Sequence, residues 1–343
     1  MNAALRIAIV GPVATTIPAA KSGSVEQITA LLCDGLVARG HRVTLFGVAG
    51  SRTRATLHAT FERGYVDDPH SMWPWEMGEL LNVAAACERA ADFDVIHYQG
   101  AYFPMSVAFS RIVKTPLVHT LHHQPHPSQL QLLRAYPEAH YVALSQHQAQ
   151  ALQGLHNLTL IPHGLDTRSF PFEANPDDYL VFLGRFTPGK GALAAIEVAR
   201  SCGARLLMAA KENAYYREHI APNVDGEQIQ YLGELDFPAK AELLSRARAL
   251  IYPVQEPEPF GLVLVEAMAC GTPVAALRCG AVAELVSEGI AGYAFDSLDQ
   301  LVRGLPHVYA LDRTKVRAYA LRHLDVATML ARHERLYQTL LKL

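Results

Sequence analysis

No uninterrupted apolar run in this 343-residue chain approaches the ~18 residues that a membrane span needs, which argues against a spanning helix. Cysteine is sparse. The five, Cys33, Cys87, Cys202, Cys270 and Cys279, are odd in number, scattered, and without a Cys-x2-Cys pair. That argues against a disulfide framework or a zinc site and predicts reduced, mostly buried thiols in a cytoplasmic protein. Excess positive charge is missing too: the net charge of −3 argues against an extended nucleic-acid footprint. No signal-peptide layout is expected, because Met1-Asn2-Ala3-Ala4-Leu5-Arg6 runs straight into a strand. Neither an internal repeat nor a low-complexity tract is present. The first strand is followed by Gly11-Pro12-Val13-Ala14-Thr15-Thr16, which lacks the second and third glycines of a Gly-x-Gly-x-x-Gly loop and so speaks against a nicotinamide site.

What is present is a long alternation of strands and helices. The length fits two domains, and with 50% hydrophobic residues each can bury a core. Strands are predicted at Leu5–Gly11, Arg42–Val48, Asp94–Tyr98, Leu117–Leu121, Tyr141–Ser145 and Leu158–Pro162. A helix spans Ser24–Arg39, with Val25, Ile28, Leu32 and Leu36 on one face and Ser24 and Gln27 as a capping box. Tyr65–Trp75, which holds both tryptophans, reads as a loop: an acceptor platform or a packed satellite cluster. The polar stretch between Gly164 and Asp178 reads as a linker. The cycle then restarts, with strands Tyr179–Gly184, Arg205–Ala210, Ile229–Leu232, Leu250–Val254 and Pro273–Leu277. Helices are expected at Ala192–Cys202, Pro238–Ala247, Leu262–Cys270 and about Val326–Leu343. The result is an α/β chain of two Rossmann-like halves facing a central cleft, and such sheets bind ligands at the carboxyl ends of their strands.

The most informative stretch is Glu258-Pro-Phe-Gly-Leu-Val-Leu-Val-Glu266-Ala-Met-Ala-Cys-Gly-Thr-Pro-Val274. It reads as a loop turning into a helix N-terminus, with one carboxylate on the loop and one about a turn into the helix. Free backbone N–H groups and the positive dipole end suit an anion. A carboxylate accepts two hydroxyl donors side by side, which suits a vicinal diol. Phosphate plus two diol readers describes a nucleotide-sugar site; two solvated glutamates on a surface helix are the bland alternative. The second signal is Phe182-Leu-Gly-Arg185-Phe-Thr-Pro-Gly-Lys190-Gly191, where two cations at the end of a strand and beside a helix start suit a diphosphate clamp, with a turn carrying two solvated charges as the alternative.

Together these stretches resemble the E-x7-E and G-R-x4-K-G motifs of retaining glycosyltransferases with the GT-B fold, family 4 in particular. The resemblance implies a metal-independent transferase with no cofactor, moving a sugar from a nucleoside-diphosphate sugar to an acceptor hydroxyl. It implies an acceptor domain at 1–168, a donor domain at 169–324, and a C-terminal helix at 325–343 packing back on the first domain. Arg185 and Lys190 would hold the diphosphate, Glu266 the ribose, and Glu258 with the backbone of Phe260, Gly261 and Leu262 the sugar. Lys21-Ser22-Gly23 stands where the family shows Gly-Gly, so Gly23 alone keeps the bare backbone for phosphate or acceptor.

His119-Thr-Leu-His122-His123 resembles the T-x-H stretch of the catalytic region; His122 takes that role, with His123 the alternative in register. His97, ending Asp94-Val-Ile-His, is either functional or packed behind the site. A metal cluster of His119, His122, His123 and His126 is the rival reading. His163 is expected to be structural. Gly280 is expected to allow a close backbone approach and Glu284 to brace its loop. No Asp-x-Asp pair suited to Mg²⁺ is evident. Two other classes stay open: another GT-B sugar-nucleotide enzyme, epimerase or phosphorylase-like, or a catalytically weak sugar-nucleotide-binding subunit. Membrane contact is expected to be peripheral at most.

Overall fold

The computed structural model describes residues 4–21, 23–68, 75–100 and 106–342. The chain forms two compact units, Met1–His163 with Val326–Leu343, and Gly164–Asp325.

The first unit is built on strands β1 (Arg6–Val10), β2 (Arg42–Val48), β3 (Thr56–Phe61), β4 (Val95–Tyr98), β5 (Leu117–Thr120), β6 (His140–Ala143) and β7 (Leu158–Leu160). They form a parallel sheet in the order β3-β2-β1-β4-β5-β6-β7. Its helices are α1 (Ser24–Ala38), α2 (Trp75–Glu88), α3 (Pro127–Arg134) and α4 (Gln146–Ala151). Central strands covered on both faces are buried along their length; β4 and β5 are buried at every position, with His97, His119 and Thr120 interrupting otherwise apolar runs. The order reverses between β1 and β4, so the loops leaving those two strands diverge and open a crevice. The C-terminal helix Val326–Leu340 belongs to this unit. Leu330 fills the notch left by Gly35 of α1, where an added Cβ would overlap its side chain. Glu334 bonds Arg39 at 2.5 Å and His41 at 3.0 Å.

The second unit repeats the plan. Strands β8 (Leu180–Leu183), β9 (Leu206–Ala209), β10 (Ile229–Tyr231), β11 (Ala249–Tyr252), β12 (Val274–Leu277) and β13 (Gly292–Phe295) lie in the order β10-β9-β8-β11-β12-β13. The helices are α5 (Ala192–Cys202), α6 (Phe237–Arg246), α7 (Leu262–Ala269), α8 (Val282–Leu285), α9 (Leu298–Tyr309) and α10 (Arg313–His323). Here the reversal falls between β8 and β11.

Several expectations need correction. The Ser24–Gln27 capping box does not form. Gly23 is the cap residue of α1, and its carbonyl accepts from Gln27 N at 3.0 Å. Ser24 is already helical, so its hydroxyl is one position too late to cap. The stretch after Gly164 is not a loose linker: Leu165 N donates to Leu324 O at 3.0 Å, Thr167 to Asp325 at 2.7 Å, and Phe170 packs on Phe237. The join between units accordingly falls after His163 rather than after residue 168. Trp75 opens α2 instead of ending a loop; residues 69–74 of the aromatic stretch, including Trp73, and Ser22 lie outside the described residues.

Candidate functional site

In the second unit the predicted clamp lies on the two loops that leave the reversal point. The loop after β8 is anchored by Phe186. This ring is fully buried and stacks on Tyr216, with centroids 5.0 Å apart, while Asn213 Nδ2 donates to its carbonyl at 2.8 Å. Burying such a side chain contributes roughly 1.5–3 kcal/mol, enough to fix the turn and hold the neighbouring Arg185 out in solvent. Gly191 caps α5 at φ 76° with its Cα pressed against the Pro253 carbonyl, a fit no side chain allows. Gln255 N donates to Gly189 O at 2.8 Å, lacing this loop to the one after β11.

That lacing brings Lys190 to Glu258. The two form a direct ion pair, and the Tyr252 hydroxyl at the end of β11 donates to the other carboxylate oxygen. Glu258 is braced from behind by Gly280. At φ 58°, an added Cβ there would lie 2.5 Å from Glu258 N and 2.6 Å from its carbonyl oxygen, and Ala281 N donates to that oxygen at 3.1 Å. The close approach expected of Gly280 is therefore to the Glu258 backbone. Phe260 is buried, and Gly261, at φ 103°, caps α7 without a side chain, so no capping group competes for the first-turn N–H groups of Leu262 and Val263. Glu266 lies one turn into α7, almost wholly buried, and accepts from Lys240 Nζ of α6 at 2.6 Å.

Electrostatics mark the same place. Burial pushes the Glu258 carboxyl up to about 7, against the pull of Arg185. Burial, with the Arg185 charge adding to it, pushes the Lys190 ammonium down to about 8. In contact, the two titrate as a pair. Among the described residues Arg185 has no side-chain hydrogen-bond or ion-pair partner, so it is the unengaged cation of the cluster. Such a constellation of cations, carboxylates and uncapped N–H groups suits a polyanion carrying hydroxyls.

In the first unit, His122 follows β5 and its Nε2 lies 2.8 Å from Gln99 Oε1, while His123 is exposed. His163 stacks on His122 with centroids 5.2 Å apart. His97 is fully buried behind them, bonded to Thr120, Gln99 and Tyr337. Gly23 is crowded by Ala19 Cβ and Glu26 Oε2, which an added Cβ would meet at 2.5 and 2.8 Å. The histidine metal cluster does not assemble: His119 sits between the Tyr98 and Tyr141 rings and His126 caps α3. Among the described residues no group of three or more His, Cys, Asp and Glu side chains is placed to hold a metal ion. Asp92-Phe93-Asp94 has Asp-x-Asp spacing, but Asp92 pairs with Arg89 at 3.1 Å and Asp94 with Arg6 at 2.6 Å. Among the described residues no helix is long and apolar enough to cross a membrane.

Sequence reasoning missed Tyr252, Lys240, Gln99 and Tyr337. Gln99 alone left a signal: it stands two residues after His97 at the end of an otherwise apolar strand, hence on the same face.

Comparison with known proteins bears on the fold. The family described as Glycosyl transferases group 1 matches residues 166–319, and Glycosyltransferase Family 4 matches residues 25–169. A phosphatidyl-myo-inositol mannosyltransferase of Mycolicibacterium smegmatis is 28% identical over 321 residues, covering 84% of this chain and 80% of the relative. Among solved structures, AviGT4, a glycosyltransferase involved in avilamycin A biosynthesis, superposes with a TM-score of 0.75 at 24% identity, covering 98% of each chain. Anabaena HepE in complex with UDP-glucose gives 0.73 at 20% identity, covering 99% of this chain and 100% of that one. The two parallel α/β units and these neighbours give the chain the GT-B fold, and its two halves match, in turn, Glycosyltransferase Family 4 and the group 1 glycosyl transferases.

Proposed function

We propose that the protein is a retaining, metal-independent transferase that moves a sugar from a nucleoside-diphosphate sugar to an acceptor hydroxyl. The observation that carries this reading is the meeting of Lys190 and Glu258, with Arg185 close by, at the reversal point of the second sheet. Glu266 receives the ribose diol. Glu258 and the backbone N–H groups of Phe260, Gly261 and Leu262 receive the sugar. Arg185 and Lys190 neutralise the diphosphate, so a donor entering the site replaces Glu258 as the partner of Lys190. The first unit supplies Gly23 and His122 and binds the acceptor.

Retention follows from front-face attack. The acceptor oxygen bonds to the anomeric carbon on the face from which the phosphate oxygen departs, and the acceptor proton passes to that phosphate. Glu258 accepts from the Tyr252 hydroxyl, which suits it to orient sugar hydroxyls rather than to attack carbon. Catalysis is then positioning and charge stabilisation. Two paired cations do the work a divalent ion would otherwise do. The reading is supported, in part, by HepE having been crystallised with UDP-glucose.

The test begins with a thermal-shift screen of UDP-, GDP- and ADP-sugars, where a ligand at 100 times its Kd adds roughly 2.7 kcal/mol of stability. The donor that shifts the transition is then offered with hydroxyl acceptors in EDTA, and the anomeric configuration of the product is read by NMR. Transfer with retained configuration in EDTA is expected. An inverted product, or activity lost in EDTA and restored by Mg²⁺ or Mn²⁺, overturns the retaining or the metal-free mechanism respectively. Conversion of the donor to an isomeric sugar product without an acceptor points instead to an epimerase-like enzyme.

A further inference from the structure

A line of hydrogen bonds crosses the first unit from the C-terminal helix to His122. Tyr337 is fully buried, and its hydroxyl lies 2.6 Å from His97 Nδ1. His97 Nε2 lies 2.9 Å from Gln99 Nε2 and 2.8 Å from Thr120 Oγ1. Gln99 Nε2 also donates to Thr120 Oγ1 at 3.1 Å, and Gln99 Oε1 lies 2.8 Å from His122 Nε2.

Donor and acceptor rules give this line a direction. An amide oxygen only accepts, so His122 Nε2 carries the hydrogen and His122 Nδ1 keeps its lone pair. The Gln99 amide nitrogen only donates, to Thr120 and to His97 Nε2. His97 Nε2 is therefore bare, and Nδ1–H donates to the Tyr337 oxygen. Each ring in the line must be neutral for this to hold, since an imidazolium has no acceptor nitrogen. Burial holds His97 and His122 well below the usual imidazole range, with the neighbouring histidines adding to it. His333 packs beside His97 with centroids 5.3 Å apart, and its Nδ1–H is taken by the Met329 carbonyl at 3.0 Å, so it does not compete for the line.

We propose that the C-terminal helix fixes the tautomer of His122 through Tyr337, His97 and Gln99, so that His122 meets the substrate with Nδ1 as a hydrogen-bond acceptor for a sugar hydroxyl. Tyr337, His97 and Gln99 are then positioning residues for the transfer step. The proposal rests on the reading of His122 as a residue that touches substrate.

The test combines one direct measurement with a mutant cycle. Ring ¹⁵N shifts of His122 in the full-length protein should report Nε2–H; an Nδ1–H tautomer overturns the proposal without any variant. Tyr337→Phe keeps the ring, which packs edge-on against His97, and removes only the hydroxyl. It should lower kcat about fivefold, the kinetic equivalent of one buried hydrogen bond, with the Kd for nucleoside diphosphate unchanged. Gln99→Met approaches the line from its other end and should act in the same sense, which covers the case of a poorly folding Tyr337→Phe. Both effects should vanish in a His122→Ala background. Wild-type kcat in Tyr337→Phe and Gln99→Met, or losses that multiply undiminished with His122→Ala, overturn the relay while leaving His122 in place. Wild-type transfer by His122→Ala sinks the reading of His122, and the proposal falls with it.

Discussion

Lys190 and Glu258 are bound to each other, the one from the loop after β8 and the other from the loop after β11, with Tyr252 holding the second carboxylate oxygen. The pair is the hinge of the donor-site reading. Each stabilises the other's charge, and on the proposed reading both must change partner when a diphosphate and a sugar enter.

A pH profile follows with a defined sign. On the proposed reading Glu258 accepts sugar hydroxyls as a carboxylate, and burial raises it to about 7, so activity should fall as pH drops through that value. On the same reading Lys190 meets the diphosphate as an ammonium, and burial lowers it to about 8, so activity should fall again as pH rises through that value. kcat/KM should be bell-shaped and narrow, with limbs that belong to the pair rather than to single residues. Glu258→Gln should abolish the acidic limb, and Lys190→Arg should move the basic limb upward. A flat profile between pH 6 and 9 in the wild type, taken here as about the accessible assay range, would remove the pair from the chemistry.

The two glutamates should separate by phenotype. Glu266 is buried against Lys240 and assigned to the ribose, so Glu266→Gln should weaken nucleoside diphosphate binding by about 1.5–3 kcal/mol. Glu258→Gln should leave that affinity closer to wild type and lower turnover further. Calorimetry against single-turnover rates makes the comparison. Wild-type affinity and rate in both variants contradict the motif assignment.

Gly280→Ala tests the brace behind Glu258. The new methyl would press on the Glu258 backbone at 2.5 Å, from a residue at φ 58°. The left-handed conformation alone costs about 1 kcal/mol or more, and the overlap adds to it or displaces the loop. We expect a lower Tm together with a loss of turnover larger than that of Gly289→Ala. Gly289 is also left-handed, at φ 75°, but its nearest neighbour to an added Cβ is the Tyr293 hydroxyl at 3.7 Å. Equal turnover in the two variants would show that the Glu258 loop does not depend on Gly280.

The second unit was the more legible in the sequence, because its signals are local. Arg185 and Lys190 lie within one turn of chain, Glu258 and Glu266 within one loop and helix, and α5 has the bounds its apolar spacing implied. Strand β3 escaped because it edges the sheet and stays half exposed, so it carries no long apolar run. The capping box failed on a single position: Gly23 takes the cap because the chain there leaves no room for a side chain. Tyr252 reads as core, being the aromatic end of a buried strand. Tyr337 meets His97 across 240 residues of sequence, a contact that no spacing rule reaches.

The leaving group gives the sharpest test of the clamp. Charge grows on the diphosphate as the sugar–oxygen bond breaks, so cations aimed there help the transition state more than the ground state. Arg185 can fork two phosphate oxygens, while Lys190 is a movable point charge that must first leave Glu258. Arg185→Ala and Lys190→Ala should each lower the single-turnover rate at saturating donor by about 10²–10³-fold, with a smaller effect on donor affinity. The double variant should lose less than the sum of the two free energies, because both cations act on one group. Arg185→Lys should stay impaired, since it keeps the charge and loses the fork. Near-normal single-turnover rates in both alanine variants would mean that these cations do not face the donor. The Lys190–Glu258 pair would then be an ion pair of the fold and nothing more.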